Sequence, residues 1–201
     1  MKISSLDRTL LMLTGLLAGY QIAIGIDKMD NVSIIAYTIA FGIILVAGLL
    51  LMILGPDVLE APIVVVISTI IPLTLSLGLV WQHLASLRTV YLIFTIISFL
   101  AVILTRLISL QNKLPVITIA LTHGIAGLTI FLLPIVLAFQ GQMKPLFSLV
   151  GIGGALIGVG GLLLSFLKTG KPILSRNTIM RLFPVLLLLT TAFFVAGFKY
   201  G

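Results

Sequence analysis

The chain has 201 residues, of which 60% are hydrophobic and only 8% are charged. Soluble domains carry roughly 25% charged residues, so a water-soluble fold of this length would lack the polar side chains to cover its core. Lipid removes that requirement. We therefore expect an all-α integral membrane protein, with one transmembrane domain over residues 1–201. The sequence contains no cysteine, which excludes disulfides, iron–sulfur clusters and thiolate zinc sites.

The net charge is +7, from 12 Lys and Arg against 5 Asp and Glu. These basic residues occur singly or in pairs between apolar runs, without the interleaved aromatic residues of a nucleic-acid surface. We interpret them as determinants of membrane topology. The expected partners are the lipid bilayer and either other membrane subunits or further copies of the chain, with no nucleic acid.

Seven apolar runs are each long enough to cross a bilayer as a helix. They are Thr9–Ile26, Val32–Leu54, Val58–Val80, Thr89–Ser109, Val116–Phe139, Leu146–Leu167 and Ile179–Phe198. The polar separators are short, which predicts that successive helices pack as antiparallel neighbours. Asp30 is expected to cap the second helix. Gly55-Pro56-Asp57 is expected to start the third, with Pro62 inside it.

The distribution of Lys and Arg predicts the orientation. One face of a seven-span bundle carries eight of them and the other carries four. The richer face has Lys2, Arg8, Arg106, Lys113, Lys168, Lys171, Arg176 and Arg181. By the positive-inside rule, this places the N-terminus in the cytoplasm and the C-terminus outside.

Three pairs of segments predict an internal repeat. Leu13–Gly19 resembles Leu121–Gly127 at an offset of 108, and Ala47–Leu51 resembles Gly160–Leu164 at an offset of 113. Pro62–Thr69 resembles Pro184–Thr191 at an offset of 122. Helices one to three (about 9–80) would then recur as helices five to seven (about 116–198), with helix four (about 89–109) as a linker. Chance similarity among aliphatic residues is the alternative.

This 3+1+3 plan, with two parallel repeats, resembles that of the sugar-exporting SWEET and PQ-loop transporters. The resemblance is one of architecture. The chain has no Pro-Gln dipeptide, and its predicted orientation is opposite to that of the family. The resemblance implies a solute site between the repeats.

Polar residues within two of the apolar runs are the candidates for such a site. Thr14 and Gln21 lie seven residues apart, on one face of the first helix, and Tyr20 adjoins them. Thr122 and Thr129 share a face of the fifth helix beside His123, the one titratable side chain well inside an apolar run. These residues either bind a small neutral or weakly polar solute or form hydrogen bonds between packed helices.

A cofactor or metal is not expected. His83 is expected just past the end of the third helix, at the outer surface, and His123 about 10 Å below the inner surface. The two are therefore too far apart in depth to ligate one haem within a single chain. A haem held by one histidine, or completed by a partner, is left as an alternative. Two histidines without cysteine are too few for a protein-only metal site.

Two further sets of residues have expected structural roles. Gly151, Gly154, Ala155 and Gly158 form a small-residue face on the sixth helix, which would let another helix approach closely. Asp57 and Glu60 lie three residues apart on the basic face, and we expect one of them to pair with Arg106 or Arg181.

The sequence contains no nucleophile–base pair, carboxylate dyad or metal cluster, so we do not expect an enzyme. The first hypothesis for its function is an accessory or scaffold subunit, or another small membrane protein without a catalytic site. The second is a transporter or binding protein for a small neutral or weakly polar solute. The third is a haem-binding or other membrane redox subunit.

Overall fold

A computed structural model describes residues 3–26, 29–108, 113–168 and 173–201. This part of the chain contains seven α-helices and no β-strand. The helices are α1 (Ser5–Ile24), α2 (Asn31–Leu54), α3 (Pro62–His83), α4 (Arg88–Leu107), α5 (Leu114–Phe139), α6 (Ser148–Lys168) and α7 (Arg176–Tyr200). Three short 3₁₀ segments, Pro56–Glu60, Ala85–Leu87 and Pro145–Phe147, precede α3, α4 and α6.

Six of these helices, α2 to α7, are long and apolar enough to cross a membrane. The expectation of an all-helical, multi-pass membrane protein is therefore confirmed at that level. Helix α1 is not among the six. Asp7 and Arg8 near its start, and Tyr20 and Gln21 near its end, dilute the apolar character of its 20 residues.

Six helices form a closed ring. Going round it, α1 packs against α2, α2 against α3, α3 against α5, α5 against α6, α6 against α7, and α7 again against α1. Helix α4 packs against α3 and α5 from outside. In this order α1 faces α5, α2 faces α6 and α3 faces α7 across the ring.

The main core is shared by all six ring helices. Its buried members include Ala18 of α1, Phe41 of α2, Leu75 of α3, Ile130 of α5 and Phe194 of α7. Val150 of α6 belongs to the same cluster. The buried residues of α4 (Ser98, Val102 and Thr105) are not part of it, which agrees with its position outside the ring.

Local sequence signals explain several helix ends. The Asp30 carboxylate accepts hydrogen bonds from the backbone N–H groups of Val32 and Ser33, which confirms the predicted cap. At the start of α1, Ser4 and Asp7 form a reciprocal capping box. Each cap satisfies backbone donors that the first helical turn leaves without partners.

The predicted start of the third helix is wrong by four residues. Residues 56–60 form a 3₁₀ segment, and the α-helix begins at Pro62. The reason is steric, because a residue that precedes proline is pushed out of the helical region, and Ala61 has φ −67° and ψ 132°. Asp57 and Glu60 consequently lie before α3 and not on it.

One of the three predicted repeat matches joins unlike positions. Pro62 is the first residue of α3, whereas Pro184 is the ninth residue of α7. Pro72, the eleventh residue of α3, is closer in position to Pro184. By contrast, Leu13 and Leu121 are the ninth residue of α1 and the eighth of α5.

Candidate functional site

The polar residues predicted on α1 are buried by its neighbours. Thr14 is fully buried beside Gly48 of α2, and its hydroxyl donates to the Leu10 carbonyl at 2.9 Å. The Gln21 side-chain nitrogen donates to the Gly25 carbonyl at 2.8 Å. These hydrogen bonds stay within α1 or reach its C-terminal cap.

The polar residues predicted on α5 also have local partners. His123 Nδ1 lies 3.1 Å from the carbonyl oxygen of Ile119, one turn earlier. Thr129 donates to the Ile125 carbonyl at 2.9 Å and accepts a hydrogen bond from the Tyr91 hydroxyl of α4 at 3.1 Å. Thr122 is buried. The Tyr91 contact ties α4 to the ring.

The structure does not bring the two stripes together. Helix α1 packs against α2 and α7, whereas α5 packs against α3, α4 and α6. A solute touching both stripes would therefore have to lie at the centre of the ring.

Aromatic side chains pack inside the ring at the end of the bundle where α7 finishes. The Phe198 ring of α7 lies 4.6 Å from that of Tyr37, 6.3 Å from that of Phe41 and 6.2 Å from that of Phe147, centroid to centroid. The Phe147 ring lies 5.4 Å from that of His83, the last residue of α3. The cluster thus links α2, α3, α7 and the segment before α6 across the ring.

Among the described residues, several buried polar atoms in this half of the bundle have no hydrogen-bond partner. They include Gln21 Oε1, the Tyr37 hydroxyl, His83 Nε2 and Thr190 Oγ1. Each unsatisfied buried group costs about 1–3 kcal/mol. Sequence reasoning missed Tyr37, because a tyrosine in an apolar run is an ordinary core residue. Its ring lies against Gly78 of α3, where a Cβ would come within 2.6 Å of it.

Only part of the predicted small-residue face of α6 is in close contact with another helix. A Cβ on Gly151 would lie 2.5 Å from the Phe131 carbonyl oxygen of α5, and one on Gly154 would lie 2.6 Å from Ile130. Gly158 is exposed, and a Cβ on it would have no described atom of another helix within 4 Å, while Ala155 is partly buried. Gly153, not predicted, faces Phe194 of α7. Glycines thus let α6 approach both of its neighbours.

Among the described residues, two ion pairs connect distant segments at opposite ends of the bundle. Arg176, the first residue of α7, pairs with Asp57 at 2.8 Å. Arg88, the first residue of α4, lies 3.5 Å from Asp30 at the start of α2. The described partner of Asp57 is therefore an arginine that the sequence did not single out. Because the Glu60 side chain is outside the described ones, its predicted pairing with Arg106 or Arg181 stays a prediction.

A cavity of about 380 Å³ lies between α3, α4, α6 and α7, at the end where α3 and α7 begin. This volume falls within the range of roughly 300–1,000 Å³ typical of small-molecule sites. It is lined by Pro62, Val65, Arg106, Leu164, Leu167, Arg176 and Met180. Arg106 is partly buried, and its Nε has no hydrogen-bond partner in the part of the chain that the structure describes.

Within the four described ranges, no group of three or more His, Asp or Glu side chains is placed to hold a metal ion. His83 is the last residue of α3 and His123 lies in the first half of α5.

The chain matches no protein-family model, no curated protein and no solved structure.

Proposed function

We propose that this protein is a non-catalytic membrane module that acts as an accessory or scaffold subunit. One observation carries the proposal: the middle of the helix ring is packed with side chains. Tyr37, Phe41, Phe147 and Phe198 interlock across it and are at most 8% exposed. A ring closed in this way supports a role in holding helices in place rather than in passing a solute.

We further propose that α1 is a seventh span. Residues Ile3, Asp7 and Leu11 lie beside Met180, Phe183 and Pro184, near the start of α7. At the other end, Tyr20 contacts Lys199 in the last turn of α7. Because α1 runs beside α7 from one end to the other, it would cross the bilayer wherever α7 does.

The 3+1+3 repeat is part of the same proposal, and the neighbour relationships support it. If α1, α2 and α3 correspond to α5, α6 and α7, then the α1–α2 contact corresponds to α5–α6 and α2–α3 to α6–α7. The α3–α5 contact then corresponds to α7–α1, and all of these pairs do pack together. Matching Pro184 with Pro72 gives an offset of 112, close to the other two.

We propose that the end carrying Asp57 and Arg176 faces the cytoplasm, as the distribution of Lys and Arg predicts. Arg8, Arg106 and Arg181 lie toward the same end of the bundle as Arg176. The C-terminus, after an odd number of spans, would then be outside.

Passage of a small solute is the second candidate. Two buried atoms favour it, Gln21 Oε1 and the Tyr37 hydroxyl, which have no hydrogen-bond partner among the described residues. A solute could supply their missing hydrogen bonds. Passage would require the aromatic cluster to move aside. Thr14, His123 and Thr129 would then have to turn from their present partners toward the solute, and the buried Thr122 would have to become accessible to it.

Two measurements separate these candidates. The full chain in liposomes should give no faster efflux of urea or glycerol, followed by light scattering, than protein-free liposomes. In native membranes solubilised with a mild detergent, it should migrate with another membrane protein at a fixed stoichiometry. Protein-dependent efflux, or migration of the chain alone, would overturn the accessory role.

A further inference from the structure

The cavity lined by Arg106 and Arg176, here called the arginine cavity, combines charge with an apolar wall. Its other lining side chains are Pro62, Val65, Leu164, Leu167 and Met180. All four helices that surround it have an end there, two N-termini and two C-termini. Their dipoles therefore oppose one another, so the positive charge of the cavity comes from the guanidinium groups.

The two guanidinium groups differ in how they are engaged. Arg176 binds the Asp57 carboxylate at 2.8 Å. The Nε–H of Arg106 is buried and has no acceptor among the described residues. A buried charged donor is stabilised by an acceptor that carries negative charge. A molecule bound in the cavity would supply such an acceptor once the guanidinium group of Arg106 turns toward it.

We propose that the arginine cavity binds the phosphate of an anionic phospholipid. A phosphate oxygen would accept from Arg106, in the planar geometry that favours arginine at such sites. The acyl chains would lie along Leu164, Leu167 and Met180. Basic pockets between transmembrane helices suit headgroups of this kind. The inference goes beyond the proposed function, because an accessory subunit could lack such a site.

The test uses the full chain in detergent with three probes. These are a short-chain phosphatidylglycerol, a phosphatidylcholine of the same chain length, and inorganic phosphate. Binding is counted by native mass spectrometry and checked by the shift of the thermal unfolding midpoint. We expect phosphatidylglycerol to bind at least roughly fivefold more tightly than phosphatidylcholine. Equal binding of the two lipids would overturn the proposal, and this comparison needs no variant.

The phosphate arm separates a lipid from a free anion. If inorganic phosphate stabilises the protein as well as the lipid does, the acyl chains contribute nothing and the assignment to a phospholipid is wrong. If phosphate has little effect while phosphatidylglycerol binds, the assignment holds.

Variants then locate the site. Arg106→Gln should weaken phosphatidylglycerol binding by about tenfold or more, because it removes a charge-assisted hydrogen bond. Arg181→Gln is the matched control, since Arg181 is exposed on α7 and does not line the cavity. Equal losses in both variants would indicate diffuse attraction and overturn the site.

A third variant tests the role of Asp57. Asp57→Asn removes the carboxylate that competes for Arg176, so it should tighten phosphatidylglycerol binding. A purely structural ion pair would lower stability without tightening binding, and that result would contradict the proposal. Flux and subunit association are measured separately, so failure of this site would leave the accessory role untouched.

Discussion

Lys199 donates a hydrogen bond from Nζ to the Tyr20 hydroxyl at 2.6 Å, across 179 residues of sequence. The same ammonium group lies 5.2 Å from the centroid of the Tyr20 ring. Both residues are at the ends of their helices, on the side where α1 finishes and α7 finishes. Their contact joins the first helix to the last and closes the ring.

Replacing Tyr20 with Phe should lower the free energy of unfolding slightly, because the ring stays while the solvent-exposed hydrogen bond to Lys199 is lost. Tyr20→Leu should cost more, since it also removes the cation–π contact. Equilibrium unfolding in detergent measures both. A double-mutant cycle with Lys199→Met gives the coupling energy, and a value of zero would contradict the contact.

Two glycines of α6 form a matched pair for testing helix packing. Gly151→Ala should lower stability by about 1–3 kcal/mol, because the new methyl group would collide with the backbone of α5. Gly158→Ala should be neutral or raise stability by up to ~1 kcal/mol through helix propensity, since nothing lies within 4 Å of its Cβ position. Thermal unfolding compares them. Equal destabilisation would contradict the described packing of α6.

The aromatic cluster can be tested with two phenylalanines. Phe198→Ala should lower stability by about 3–5 kcal/mol, since it leaves a cavity among Tyr37, Phe41 and Phe147. Phe139 is 88% exposed at the end of α5, and Phe139→Ala should change stability by less than about 0.5 kcal/mol. Because Phe198 helps to close the interior of the ring, Phe198→Ala is also the variant in which we most expect small solutes to leave liposomes faster.

The absence of cysteine makes single-cysteine labelling a direct test of sidedness. Ser5, Asn31, Gln142 and Asn177 are exposed near helix ends and can each be replaced by Cys. We expect a membrane-impermeant maleimide to reach Asn31→Cys and Gln142→Cys from outside. Ser5→Cys and Asn177→Cys should react only after permeabilisation.

Other labelling patterns have distinct meanings. Labelling of Ser5→Cys and Asn31→Cys from the same side would show that α1 does not cross the bilayer. If the labelling results at all four positions are reversed, the proposed orientation is wrong, but the proposed number of spans is unaffected.

The helical membrane fold followed directly from composition and from the spacing of polar breaks. The two ends of α2 were predictable because each depends on a local signal. Asp30 caps the first turn and Gly55 follows the last residue of the helix. The start of α3 differs from the start of its apolar run, because Pro62 pushes Ala61 out of the helical region. The partner of Asp57 was also beyond prediction, because several arginines lie on the same face and only packing selects among them.

The sequence by itself determined that this chain belongs in lipid, because too few charged residues exist to cover a core in water. Only the tertiary structure decided what lies between the helices. The spacing of Thr14 on α1 and of Thr122 on α5 is compatible with a face that lines a solute site. In the folded protein both side chains are buried by neighbouring residues. The arginine cavity arises where the start of α3 and the end of α4 meet the α6–α7 junction. These three segments are far apart in sequence, and no local pattern specifies that they meet.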